Sequence, residues 1–129
     1  MLYAIESNGP KEITKIPHES DFYAPCRAHL SPEQFKTMYD ELFARIDPNA
    51  REVYTSSWIP GHNWVGTPFQ PIFDVACGMS VEASAKFFGI LLWQVIIDRP
   101  EAWSFGRYEK DGVPIEGMTY FRLSALDRS

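Results

Sequence analysis

The stretch "FFGILLWQVII", Phe87 to Ile97, restricts what this chain can fold into more than any other. Nine of its eleven residues are large hydrophobes, so apolar groups occupy every side of a helical cylinder instead of one stripe. A helix apolar all round has to be covered on all sides. Ser80 is placed as its N-cap, Glu82 suits the positive first turn, and Pro100 forces an end near Asp98 or Arg99. Lys86 and Asp98 bound the apolar run, which is too short to span a bilayer. Two solutions follow. Either the helix is the centre of the fold, wrapped by a sheet and loops, or it shares a face carrying Phe87, Ile90, Trp93 and Ile97 with a second copy in a homodimer.

The other elements decide what can do the wrapping. "LSPEQFKTMYDELFARIDP" reads as an amphipathic helix. Ser31 caps it, Pro32 suits the first turn, Gln34 completes a capping box, and Leu30 and Phe35 form a hydrophobic staple. Phe35, Met38, Tyr39, Leu42, Phe43 and Ile46 form one stripe, and Asp47-Pro48 stops it. "LYAIE" and "EITKI" flank Asn8-Gly9-Pro10 and predict two short strands about a turn. "REVYTSSWI" predicts a third strand, and Asp111-Gly112 sets a hairpin between two aromatic-rich runs near the C-terminus. The expected fold is α+β: an antiparallel sheet of about five strands with two helices packed on it, in the order β-β-α-β-loop-α-β-β. At 129 residues, with no repeat or linker-like shift in composition, residues 1–129 are expected to form one domain.

Charge limits the partners. The net charge of −5 is spread over both halves, and no cluster of Lys and Arg offers a phosphate-binding face, so nucleic acid is not an expected partner. The N-terminus lacks a basic segment followed by an apolar run, and a cytoplasmic location is expected. Cys26 and Cys77 have no C-x-x-C spacing and are expected to be reduced, a single bridge being the alternative. His18, His29 and His62 lack the spacings of a metal site, phosphate-loop and dinucleotide glycine motifs are missing, and no cofactor is expected.

Function concentrates in "SSWIPGHNWVGTPFQP", residues 56–71. Pro60, Gly61, Gly66, Pro68 and Pro71 break both helical and strand repeats, so Trp58 and Trp64 sit on a shaped loop. They either fold inward to close the core or line a pocket or partner surface, with His62, Asn63 and Gln70 as polar contacts, while Arg107 and Arg122, on opposite strands of the C-terminal hairpin, are candidates to recognise an anion. The first expectation is therefore a binding or interaction domain for a small molecule or protein. The second is a cysteine-dependent hydrolase or transferase. Cys77 precedes the Ser80 cap, where the helix dipole lowers a thiol pKa, and His62 or His29 supplies a base with Asp74 as orienting acid. Gln70 upstream of a cysteine that begins a helix loosely resembles papain-type cysteine hydrolases. The likeness covers Gln70 to Cys77 and the following helix, and the downstream histidine it implies has no counterpart after His62. A small acidic inhibitor of another protein is a further alternative.

Overall fold

The computed structural model describes residues 1–54, 64–106, 109–110, 113–114 and 119–126. Strands β1 (Leu2–Glu6) and β2 (Gly9–Ile13) pair antiparallel, with Glu6 opposite Gly9. The turn is thus Ser7-Asn8, and β2 starts three residues earlier than the sequence suggests. Gly9 supplies a φ of 107°, and Pro10 is tolerated because β2 lies at the edge of the sheet. A π-helical turn, Glu19–Tyr23, runs into the single turn α1 (Ala24–Arg27). Next come α2 (Pro32–Arg45), β3 (Glu52–Tyr54), a second π-helical turn (Ile72–Ala76) and α3 (Val81–Asp98). The chain continues through β4 (Trp103–Gly106), a ribbon of β5 (Glu109–Lys110) and β6 (Val113–Pro114), and β7 (Thr119–Arg122). Asp111 and Gly112, the expected turn, lie outside the described residues; β4 pairs antiparallel with β7, and β5 with β6.

The main sheet has the order β2-β1-β4-β7-β3. It is α+β as expected, but the sheet is mixed. β1 and β4 run parallel, meeting at Leu2 and Trp103, while the remaining neighbours are antiparallel. A parallel pair needs a long crossover, and the helical middle of the chain supplies it. The short helical turns add to the two expected helices.

Both long helices form for the reasons their sequences give. The Ser31 Oγ accepts from the Gln34 amide (3.0 Å), and the Gln34 side chain accepts from the Ser31 amide (2.9 Å), a complete capping box. Ser80 Oγ accepts from the Ala83 amide at 3.2 Å. On α3 the chain itself provides the cover. Phe87, Phe88, Ile90, Leu91, Leu92, Val95 and Ile96 are buried among Leu2, Met38, Leu42, Trp103 and Tyr120. Each such side chain contributes about 1.5–3 kcal/mol on leaving water. Gln94, polar within the apolar run, accepts from the Tyr23 hydroxyl at 2.6 Å.

Beyond the end of α3 lies a knot of buried charge. Arg99 and Glu101 form an ion pair with side chains only 8% and 7% exposed. Trp103 Nε1 donates to Glu101 at 3.3 Å, and Arg99 donates to the Phe43 carbonyl at 2.8 Å while its guanidinium lies 4.3 Å from the Phe43 ring centre. The Met1 ammonium donates to the carbonyls of Ile96 (3.0 Å), Glu101 (2.9 Å) and Arg99. The Ile96 carbonyl belongs to the last turn of α3, the negative end of the helix, which favours a cation.

Candidate functional site

Residues 64–81 connect the aromatic loop to α3, and local hydrogen bonds shape them. Thr67 donates from both its hydroxyl (2.8 Å) and its amide (3.2 Å) to the Trp64 carbonyl. Gly66, at a φ of 79°, donates its amide to Gln70 Oε1 at 3.0 Å, and Gln70 Nε2 donates to Asp74 at 2.8 Å. Gln70 therefore staples the loop at Gly66 to the π-helical turn at Asp74. At its far end the turn reverses through Gly78 (φ 59°) and Met79 (φ 66°), and the Met79 amide donates to the Phe73 carbonyl at 2.8 Å. A left-handed conformation costs a methionine about 1–2 kcal/mol. This one holds a side chain that is 67% exposed.

The sequence-predicted site residues separate. Trp64 turns inward: it is 3% exposed and packs edge-on against Phe88 (5.9 Å between ring centres), which Phe69 also meets at 5.2 Å. It closes one end of the core. Its Nε1 has no hydrogen-bond partner among the described residues. Trp58, His62, Asn63 and Arg107 lie outside the described residues. Gln70 is engaged within the loop. On α3, Phe87 and Ile90 are buried by the chain itself. Trp93 and Ile97 are half-buried, and Trp93 is occupied by Phe105 (4.8 Å) and by a bond to the Lys15 carbonyl (3.1 Å). That face leaves little uncovered apolar surface for a second copy.

Cys77 does not have the surroundings of an activated nucleophile. Burial pushes its thiol up to about 11, and the neighbouring Cys26 adds to the rise while Ser84 opposes it. The helix-dipole expectation had the opposite sign. It fails because Cys77 closes the π-helical turn at the margin of the core, where lost hydration outweighs the dipole of a helix starting several residues later. His18 is held by Asp21 at 3.1 Å on the surface, and His29 is exposed. Among the described residues no three His, Cys, Asp or Glu side chains gather as metal ligands, and no helix is long and apolar enough to cross a membrane.

What the sequence reading missed is on the outside of the same segment. Among the described residues five large apolar side chains are exposed: Ile5, Val65, Val75, Met79 and Val81. Four of the five fall between residues 65 and 81. One signal was legible: residues 53–73 contain no Asp, Glu, Lys or Arg, and Asp74 and Glu82 are the only charges up to Lys86. A separate groove of about 460 Å³ lies where α1 meets α2, lined by Ala24, Arg27, Leu30, Ser31 and Phe35. The Arg27 guanidinium lies 3.7 Å from the Phe35 ring centre. No protein-family model, curated protein or solved structure matches the chain.

Proposed function

We propose that this is an interaction domain that docks a partner protein on the surface of residues 64–81, continuous in sequence with the aromatic stretch before it. The observation that carries the reading is the concentration of Val65, Val75, Met79 and Val81, all exposed, on a segment held by the Gln70 staple between Gly66 and Asp74 and by the bond from the Met79 amide to the Phe73 carbonyl. Apolar side chains scattered singly need no explanation, whereas a group of them on a preorganised segment supports recognition. The partner's chemistry follows from charge. Asp74 and Glu82 are exposed here with no Lys or Arg between residues 64 and 85, so the complementary surface is apolar with a basic rim. A second copy would set these carboxylates against their own kind, which disfavours self-association through this face. An inhibitor that occupies another protein's site is a special case of the same docking.

Selection of random peptides on the immobilised protein tests the reading. Enriched peptides combine apolar residues with Lys or Arg, bind more weakly as salt is raised, and shift amide resonances of residues 64–81. Enriched peptides that leave those resonances in place refute it.

The groove at α1 and α2 favours a second reading, a small anion with an apolar body held by Arg27 and Phe35, since its volume suits a small ligand. Titration with aromatic carboxylates, read at the Arg27 and Phe35 resonances, tests it. The cysteine-hydrolase reading draws no support from a thiol that stays protonated at neutral pH.

A further inference from the structure

Met79 is the largest of the exposed apolar side chains between residues 65 and 81, and none of the others is more exposed. The backbone holds it outward. Its own amide donates to the Phe73 carbonyl at 2.8 Å, the Ser80 amide donates to the Cys77 carbonyl at 3.1 Å, and Ser80 then caps α3. The other described methionines are sheltered, Met38 inside the core and Met1 buried beside it. Within the patch only the thioether can be changed by a mild oxidant, since valine offers no oxidisable group. Cys77, two residues earlier, is a poorer target. Peroxide reacts with thiolate, and burial keeps that thiol protonated at neutral pH. We propose that Met79 is a modification site, oxidised by hydrogen peroxide to a sulfoxide that switches docking off. The switch rests on the docking reading of residues 64–81.

The oxidation is a single oxygen transfer. A lone pair on Met79 Sδ attacks one oxygen of the peroxide, the O–O bond breaks, and hydroxide leaves. The proton on the oxygen now bound to sulfur passes to that hydroxide, so the products are one sulfoxide and one water. Sulfur gives up two electrons and the peroxide takes them. No thiolate is needed, so access to the sulfur decides which methionine reacts. The sulfoxide oxygen accepts hydrogen bonds from water. An apolar partner surface strips that water without replacing it, so the side chain that contributed contact now opposes it. Methionine sulfoxide reductases reverse the change, which makes the surface resettable.

The test has two arms, both on the native full chain. In the first, limiting hydrogen peroxide is added at neutral pH and the gain of oxygen is mapped by mass along the chain. Met79 is expected to gain it at least about tenfold faster than Met38, which the core covers. In the second, an apolar peptide carrying Lys or Arg, taken from the selection on the immobilised protein, is titrated before oxidation, after it, and after treatment with sulfoxide reductases. Affinity should fall by at least about tenfold and then return. A Met79→Leu chain, which keeps the apolar volume, should bind the peptide and ignore peroxide. Equal rates at Met79 and Met38, undiminished binding by the Met79 sulfoxide, or the same loss of binding in the oxidised Met79→Leu chain overturns the proposal. An unoxidised chain whose residues 64–81 do not respond to the peptide refutes the docking reading and the switch with it, and the oxidation rates then decide the modification site by themselves.

Discussion

Replacing Glu101 by Gln is expected to cost about 3–5 kcal/mol of stability, as removal of one partner from a buried ion pair does. The geometry points to the upper part of that range. The carboxylate accepts from Arg99 Nε at 2.7 and 3.1 Å, from Arg99 Nη2 and from Trp103 Nε1. Gln keeps the shape but loses the charge and turns an NH2 group towards a guanidinium that has only donors. It also removes the carboxylate that Arg99 pairs with, in a region where the Met1 ammonium donates to carbonyls. For a chain of this size the loss lowers Tm by about 10–20 °C. Denaturant unfolding of both proteins checks it, with an unchanged slope showing that only the native state was altered. The pH dependence gives a second check. Burial alone would raise the Glu101 pKa, but the bonds from Arg99 and Trp103 outweigh it and hold the carboxyl below its ordinary 4.5. The carboxylate's contribution is therefore complete above 4.5 and is lost as pH falls through the lower native value, so the two proteins converge in acid. A loss under about 1 kcal/mol at neutral pH would refute the reasoning.

Three further outcomes are expected. Ser31→Ala removes the acceptor for the Gln34 amide and should cost about 1 kcal/mol in denaturant unfolding. Alkylation of Cys77 in a Cys26→Ser background should be slow at neutral pH and accelerate only well above the ordinary thiol range, because burial remains the main cause of its raised pKa; fast neutral alkylation of the folded protein would contradict this. Met79→Gly relieves the left-handed methionine while loosening the unfolded chain, so stability should stay within about 1 kcal/mol while peptide binding weakens. A stabilised variant that binds unchanged would show that Met79 is not a contact.

Local signals made the helices legible. Ser31, Pro32 and Gln34 mark the start of α2, and Ser80 and Pro100 bracket α3, because capping and proline sterics act within a few residues. The apolar cylinder of α3 also announced that it would be covered on all sides, while leaving open whether the chain itself or a second copy supplies the cover. The parallel pairing of Leu2 with Trp103 was not legible, since it depends on contacts a hundred residues apart and leaves no period in the sequence. The π-helical turn at 72–76 was missed for a related reason: five residues carry no recognisable repeat. At the candidate site the loop was legible from its prolines and glycines, and the inward turn of Trp64 was one of two stated alternatives. For Cys77 two opposed influences were legible, a helix dipole from spacing and burial beside an apolar helix, but their balance depends on packing, and burial is the largest cause of its raised pKa.

The most direct test of the docking surface is titration of a selected apolar, basic peptide against the protein and its Val75→Asp/Met79→Asp variant, with circular dichroism confirming that both are folded. Both side chains are exposed, so the substitutions should leave the fold intact. The account predicts at least a tenfold loss of affinity, about 1.4 kcal/mol, from placing charges where the peptide's apolar groups must lie. Equal affinity for the two proteins would contradict it.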